Sequence, residues 1–289
     1  MKKYLKLMRI KHYVKNGLIF LPLIFSGQFF YTNLLVKVME GILCFSFLSS
    51  AIYIFNDIKD VDHDRCHPIK KARPIASGEV SVFSASLIAC ILLALSVIFN
   101  CLAFGAGWRS WFILILYLLL NVGYSLGLKN IPIVDVAILV LGFLLRVLYG
   151  SVITNIEISK WLYLTVISSS FYLALGKRRN ELSRVSASGT TRKVLQLYNY
   201  GFLDKNMYIC LALTITFYSL WSVDLLTIQK ANSENLIWTV PLIILICMKY
   251  SLSVENNSDG DPVEVIWGDK ILLSIVAVFC LVVFGIIYF

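Results

Sequence analysis

Nine apolar runs, each 17 to 23 residues long, follow one another along this chain: 17–36, 38–55, 80–99, 110–128, 131–152, 160–176, 206–228, 236–252 and 270–289. About 20 residues at ~1.5 Å rise span a bilayer's hydrocarbon core, and no other regular element keeps its backbone satisfied there within a single segment. The chain is therefore expected to be an all-α integral membrane protein, one domain over 1–289, with nine transmembrane helices in a bundle. Composition agrees: 58% of the 289 residues are hydrophobic and 15% charged, against about half and a quarter in soluble domains. Lys2, Lys3, Lys6, Arg9, Lys11 and Lys15 precede the first run as in a signal peptide. Pro22, Gln28 and aromatics follow where a small-residue cleavage site belongs, so an uncleaved first helix is expected.

The net charge of +9 invites a nucleic-acid reading, which its distribution removes. With the N-terminus taken as cytoplasmic, the inner segments hold 21 of the 26 Lys and Arg residues; Lys37, Arg109, Lys160 and Lys230 lie outside and Arg146 lies within a run. This positive-inside bias requires an odd number of spans and an external C-terminus. Cys66 stands in a polar loop and the other six cysteines lie in or beside apolar runs, with no disulfide or zinc-ligand spacing. His12, His63 and His67 form no catalytic arrangement, so the chemistry is expected to need no imidazole base.

The charges concentrate in two inner loops, 56–79 and 177–205, and a third loop, 253–269, is acidic. The two large loops begin alike, as "SSAIYIFNDIKDVDHD" and "SSFYLALGKRRNEL" carry an apolar run into charge without a Gly or Pro break at the junction. At about 100° per residue, Asn56, Asp57, Asp60 and Asp64 fall at about 0, 100, 40 and 80°, on one helix face, while Asp62 falls near 240°. Lys177, Arg178 and Glu181 repeat the first three spacings. A carboxylate face repels itself unless a cation sits against it, and oxygen ligands with open positions suit Mg²⁺ bridging to substrate phosphates. The alternative is a solvated acidic helix end paired with Lys59, Arg65, Lys70, Lys71 and Arg73. Asp135 and Arg146 both interrupt the fifth run, about 16 Å apart in depth, too far to neutralise each other; such residues mark functional paths or face an interface. Lys129 is either a topology charge or a phosphate ligand.

"NDIKDVDHD" followed by "KKARPIASG" resembles the UbiA superfamily of membrane prenyltransferases, whose pattern is NDxxDxxxD, a basic stretch ending in RP, and nine helices. "YSLGLK" (Tyr124, Ser125, Lys129) is similar to the family's next inner motif. Where most members carry a second acidic motif, this chain has "GKRRNEL". With "RIKHYVKNGLIFLPLIFSG", "LQLYNYGFLD" and "DPVEVIWGDK", that change resembles the branch that transfers phosphoribose to decaprenyl phosphate. The resemblance implies Mg²⁺, or Mn²⁺ in its place, bound by Asn56, Asp57, Asp60 and Asp64, with these aspartates and Glu181 in the catalytic machinery. It implies that Lys15, Asn16, Lys70, Arg73, Lys129, Arg146, Lys177, Arg178 and Tyr198 bind substrate, the Lys177–Arg178 pair cradling a C5 phosphate. The implied partners are phosphoribosyl diphosphate, a polyprenyl phosphate and the lipid bilayer, with no nucleic acid and room for a homo-oligomer. The implied location is the bacterial inner membrane, with the site on its cytoplasmic face. Two rival readings stand beside it. One is a prenyltransferase acting from prenyl diphosphate on an aromatic or other acceptor; the other is a transporter with a charged inner gate.

Overall fold

The computed structural model describes residues 2–66, 70–104, 107–188, 193–255 and 261–289. His67 and residues 256–260 of the acidic loop lie outside them. The regular elements of the described residues are all helical: α1 (Lys2–Met8), a 3₁₀ stretch (Ile10–Phe20), α2 (Leu21–Ile24), α3 (Thr32–Lys59), α4 (Val61–Cys66) and a 3₁₀ turn (Lys70–Ala72). Next come α5 (Val82–Phe104), α6 (Trp108–Leu126), a 3₁₀ turn (Leu128–Asn130), α7 (Val134–Thr154) and α8 (Lys160–Ser188). After a 3₁₀ turn (Lys193–Leu197) follow α9 (Tyr200–Ser222), α10 (Leu225–Ala231), a 3₁₀ turn (Asn235–Thr239), α11 (Val240–Glu255), α12 (Pro262–Gly268) and α13 (Lys270–Tyr288).

Six of these stretches are long and apolar enough to cross a membrane among the described residues: α3, α5, α6, α7, the 3₁₀ turn with α11, and α13. Helices α9 and α10, bent by 61°, make a seventh if they form one span. Two of the nine expected runs account for the difference. The run 17–36 is not one helix: Pro22 lacks an N–H to donate, the Ser26 hydroxyl donates to the Leu23 carbonyl, and Gly27 takes φ 74°, so α2 ends and the chain restarts at Thr32. A Cβ on Gly27 would lie 2.9 Å from the Lys230 carbonyl oxygen. The run 160–176 does form helix, but α8 carries Ser168, Ser169 and Ser170 and continues into Lys177–Arg179, which dilutes its apolar content.

Packing separates the chain into two compact units. The first comprises 1–21, 30–126 and 145–155; the second comprises 22–29, 127–144 and 156–289. In the first, α3 packs most extensively on α5, around Ala51, Ile54, Ile75, Ala85 and Leu92. The outer faces of α5, with Phe83, Leu87, Ile91, Ile98 and Leu102, stay exposed, as lipid-facing helices do. Gly150 lets the N-terminal 3₁₀ stretch lie directly on α7, because a Cβ there would fall 2.2 Å from the Ile19 carbonyl oxygen. In the second unit, α8 pairs with α9 over a core that includes Tyr172, Leu175, Leu203, Met207, Tyr250 and Val265.

Candidate active site

Helix α3 ends at the first charged motif because Asp60 leaves the helical region (φ −91°, ψ 10°). Its N–H still bonds the Asn56 carbonyl at 2.9 Å, and the Asp64 N–H bonds the Asp60 carbonyl at 2.8 Å. The chain therefore kinks at Asp60 and resumes as α4. The expected separation of faces survives the kink: Asp57 and Asp64 are buried, while Asp62 is exposed and pairs with Arg65 at 3.2 Å.

Two arginines from elsewhere in the first unit meet the buried carboxylates. Arg9 Nη2 lies 2.6 Å from Asp57 Oδ1; Arg73 Nη1 lies 3.1 Å from the same oxygen and 2.6 Å from Asp64 Oδ2. Arg9 takes the left-handed conformation (φ 53°) and its guanidinium stands 4.6 Å above the Tyr53 ring. Lys3 and Lys6 on α1 donate to the Glu79 and Ala72 carbonyls, fastening the turn that carries Arg73. The Ser125 hydroxyl donates to Asn56 Oδ1, and Lys59 Nζ donates to the Ser125 carbonyl at 2.8 Å. Lys15 and Lys70 are half-buried in the same unit.

Of the three carboxylates expected on one face, Asp57 and Asp64 converge on Arg73. Among the described residues no group of three or more His, Cys, Asp or Glu could hold a metal ion; Asp57 and Asp64 converge, and Asp60 sits at the kink. Two carboxylates within hydrogen-bond reach of one guanidinium nitrogen still suit a hard divalent cation, since Mg²⁺ commonly binds through one or two carboxylates plus substrate phosphates. The donor set of Asp57 and Asp64, with the neutral amide of Asn56, therefore fits magnesium, which these residues would hold.

Deeper in the unit, about 16 Å along α3 from Asp57 to Ser46, lies a second polar centre. Arg146 is buried, its Nε donating to Asn16 Oδ1 (2.8 Å) and its Nη2 to the Tyr117 hydroxyl (2.9 Å). The guanidinium also lies 5.3 and 4.9 Å from the Phe45 and Tyr117 rings. Asn16, expected to bind substrate, is itself buried, and its Nδ2 donates to Ser46 Oγ at 2.8 Å. Its amide positions Arg146.

The second motif resolves differently. Arg178 is fully buried at 0% exposure, with Nε 2.5 Å from Oδ2 of the equally buried Asp135 and Nη1 on Glu181 Oε2. The Tyr198 hydroxyl donates to Asp135 Oδ1 at 2.7 Å and accepts the Ile133 N–H at 2.7 Å. That bond holds Ile133 at φ 69°, an outlier for a β-branched residue. Burial pushes the Tyr198 phenol up to about 12, since ionisation there would be poorly solvated. Lys177 pairs with Asp261, the N-cap of α12, at 3.3 Å, and Arg179 pairs with Asp204 at 2.6 Å. Arg178 and Tyr198, expected to bind substrate, are here held by protein partners that tie α7, α8 and the chain after the Lys193–Leu197 turn. Lys129 is half-buried in the same unit. Sequence reasoning missed Arg9 as a site residue, named Ser125 only within a motif, and left Asp135 between a functional path and an interface.

The UbiA prenyltransferase family model matches residues 18–265. This chain belongs to the UbiA prenyltransferase family. A decaprenyl-phosphate phosphoribosyltransferase of Corynebacterium glutamicum is 34% identical over 287 residues, covering 96% of this chain and 85% of the relative. One of Mycolicibacterium smegmatis is 28% identical, covering 93% and 87%. The solved UbiA homolog from Archaeoglobus fulgidus, bound to GPP and Mg²⁺, superposes with a TM-score of 0.70 at 20% identity over 99% of both chains, a likeness of fold. The chain is a multi-pass integral membrane protein and a UbiA-family transferase.

Proposed function

We propose that this transferase moves 5-phosphoribose from phosphoribosyl diphosphate to a polyprenyl phosphate at the cytoplasmic face of the inner membrane. The observation that carries the choice of donor is the second motif. A prenyl donor held through two metal ions needs a second set of acidic ligands. In "GKRRNEL" the cations Lys177, Arg178 and Arg179 instead face Asp261, Asp135 with Glu181, and Asp204. The names of the two relatives point to the same donor.

Asp57 and Asp64, with Asn56, would hold Mg²⁺, which when bound draws charge from the diphosphate as it leaves. Arg73, Arg9, Lys15 and Lys70 supply cationic contacts for phosphate oxygens in the same unit. The acceptor's phosphate oxygen attacks C1 of the ribose, the C1–O bond to diphosphate breaks, and diphosphate departs with the bonding pair. With a second pKa near ~6, a phosphate monoester is largely ionised at neutral pH. The protein has to orient it rather than deprotonate it, in keeping with a chain that offers no histidine pair.

The test uses membranes containing the protein, radiolabelled phosphoribosyl diphosphate and polyprenyl phosphate, followed by lipid extraction. Label should enter the lipid phase with Mg²⁺ or Mn²⁺, vanish in EDTA and be poorly supported by Ca²⁺. Transfer from prenyl diphosphate, with phosphoribosyl diphosphate ignored, would establish the prenyltransferase reading instead.

A further inference from the structure

The carboxylates of Asp57 and Asp64 are already bridged by a cation of the protein's own. Arg73 Nη1 reaches both, at 3.1 and 2.6 Å, and Arg9 reaches Asp57 at 2.6 Å. Two buried negative charges thus face two positive ones, and the cluster is balanced. A divalent cation entering alone would leave an excess of positive charge in a poorly solvated place, which is strongly unfavourable. Entering with a diphosphate anion, it would not.

The two arginines are not equally held. Arg9 stacks on Tyr53 and touches Asp57 alone of the two carboxylates. Arg73 lies just past the Lys70–Ala72 turn with its side chain 29% exposed, and it is the group that spans both acids. A planar fork of donors suits phosphate oxygens as well as carboxylates.

We propose that Arg73 is an exchangeable counter-ion. In the metal-free protein it neutralises, together with Arg9, Asp57 and Asp64. When a divalent cation arrives with a diphosphate-bearing substrate, Arg73 passes from the carboxylates to the phosphate oxygens, so that cation and anion bind cooperatively. This rests on the reading above only in requiring a diphosphate-bearing substrate.

The experiment measures Mn²⁺ binding to the purified full-length protein in detergent, by the paramagnetic resonance signal of free Mn²⁺ at controlled free concentration. Inorganic diphosphate should tighten Mn²⁺ binding to the wild type by about 10-fold or more. Arg73→Gln should bind Mn²⁺ alone about 10-fold more tightly than wild type and show less than ~3-fold coupling to diphosphate. Arg65→Gln, on the exposed pair with Asp62, should leave both values unchanged. If Arg73→Gln does not fold, Arg73→Lys takes its place: an ammonium lacks the planar fork, so Mn²⁺ alone should bind several-fold more tightly. Unaltered Mn²⁺ affinity or undiminished coupling in the folded Arg73 variant would overturn the exchange. Coupling to inorganic diphosphate but not to phosphoribosyl diphosphate would overturn the donor assignment and leave the exchange standing. Phosphoribosyl transfer without Mn²⁺ coupling would do the reverse.

Discussion

Two arginine–aspartate clusters, one in each packing unit, use the same side chains to different ends. Around Asp57 and Asp64 the guanidinium groups of Arg9 and Arg73 keep 24% and 29% of their side-chain surface exposed. Around Asp135, Arg178 has no exposed surface at all. An ion pair whose arginines are partly solvated can exchange partners when incoming ions replace what is given up. A fully buried one cannot, because either partner left alone is an uncompensated charge. The first arrangement suits a ligand site and the second a structural lock. In this chain the "GKRRNEL" segment supplies the lock through Arg178.

Arg178→Ala tests that contrast most severely. It should strand Asp135 and destabilise the protein by about 3–5 kcal/mol, seen as a lower thermal midpoint in detergent. Arg178→Met combined with Asp135→Leu should recover much of the loss. Arg73→Ala should destabilise less than half as much; equal damage at both arginines would break the comparison.

On the catalytic side, Asp57→Asn or Asp64→Asn should lower turnover by about 10²-fold or more in protein that still folds. Asp62→Asn should change it by less than ~2-fold, its side chain being on the exposed face. Matched losses at Asp62 and Asp64, at equal expression, would mean that these carboxylates do not act through the buried cluster.

Tyr198→Phe sharpens the account of the lock. Losing one donated and one accepted hydrogen bond should destabilise the protein by ~1–2 kcal/mol, with the midpoint again the measure. Because the phenol's folded pKa is raised to about 12, its pH contribution is fully present below ~10 and is lost as pH rises from there. Between pH 6 and 9 the wild type and variant should therefore run parallel.

The smallest effect is expected at Asp269. Hydrogen bonds from Lys249 Nζ at 2.7 Å, Ser253 Oγ at 2.6 Å and the Leu272 N–H at 3.1 Å hold its carboxyl well below the usual range. Depressed in this way, it contributes stability above ~4 that is lost as pH falls below that value. Asp269→Asn should lower the midpoint slightly at pH 7 and converge on wild type toward pH 3. A difference that instead grew in acid would reverse the sign.

Much of the fold was legible because apolar length and helical period are local properties. Runs 38–55, 80–99, 110–128, 131–152 and 270–289 lie largely within α3, α5, α6, α7 and α13. The placement of Asp62 opposite Asp57 and Asp64 followed from about 100° per residue. The break after α2 was less legible, although Pro22 and Gly27 were its marks, since the hydrophobicity of 17–36 outweighed them. The site was half legible: the acids at 56–64 stood out, whereas their counter-ions come from 48 and 9 to 16 positions away.

By itself the sequence determined that the chain is helical and membrane-spanning, and that its charges gather in a few loops. Each of these follows from the solvation of residues near one another in the chain. Which cation meets which carboxylate was decided only by the tertiary structure. Arg9 finds Asp57 across 48 residues and Arg178 finds Asp135 across 43, because a buried charge must be paired wherever packing brings a partner. Whether such a pair is open to a ligand or sealed depends on how much water reaches it, and no spacing along the chain encodes that.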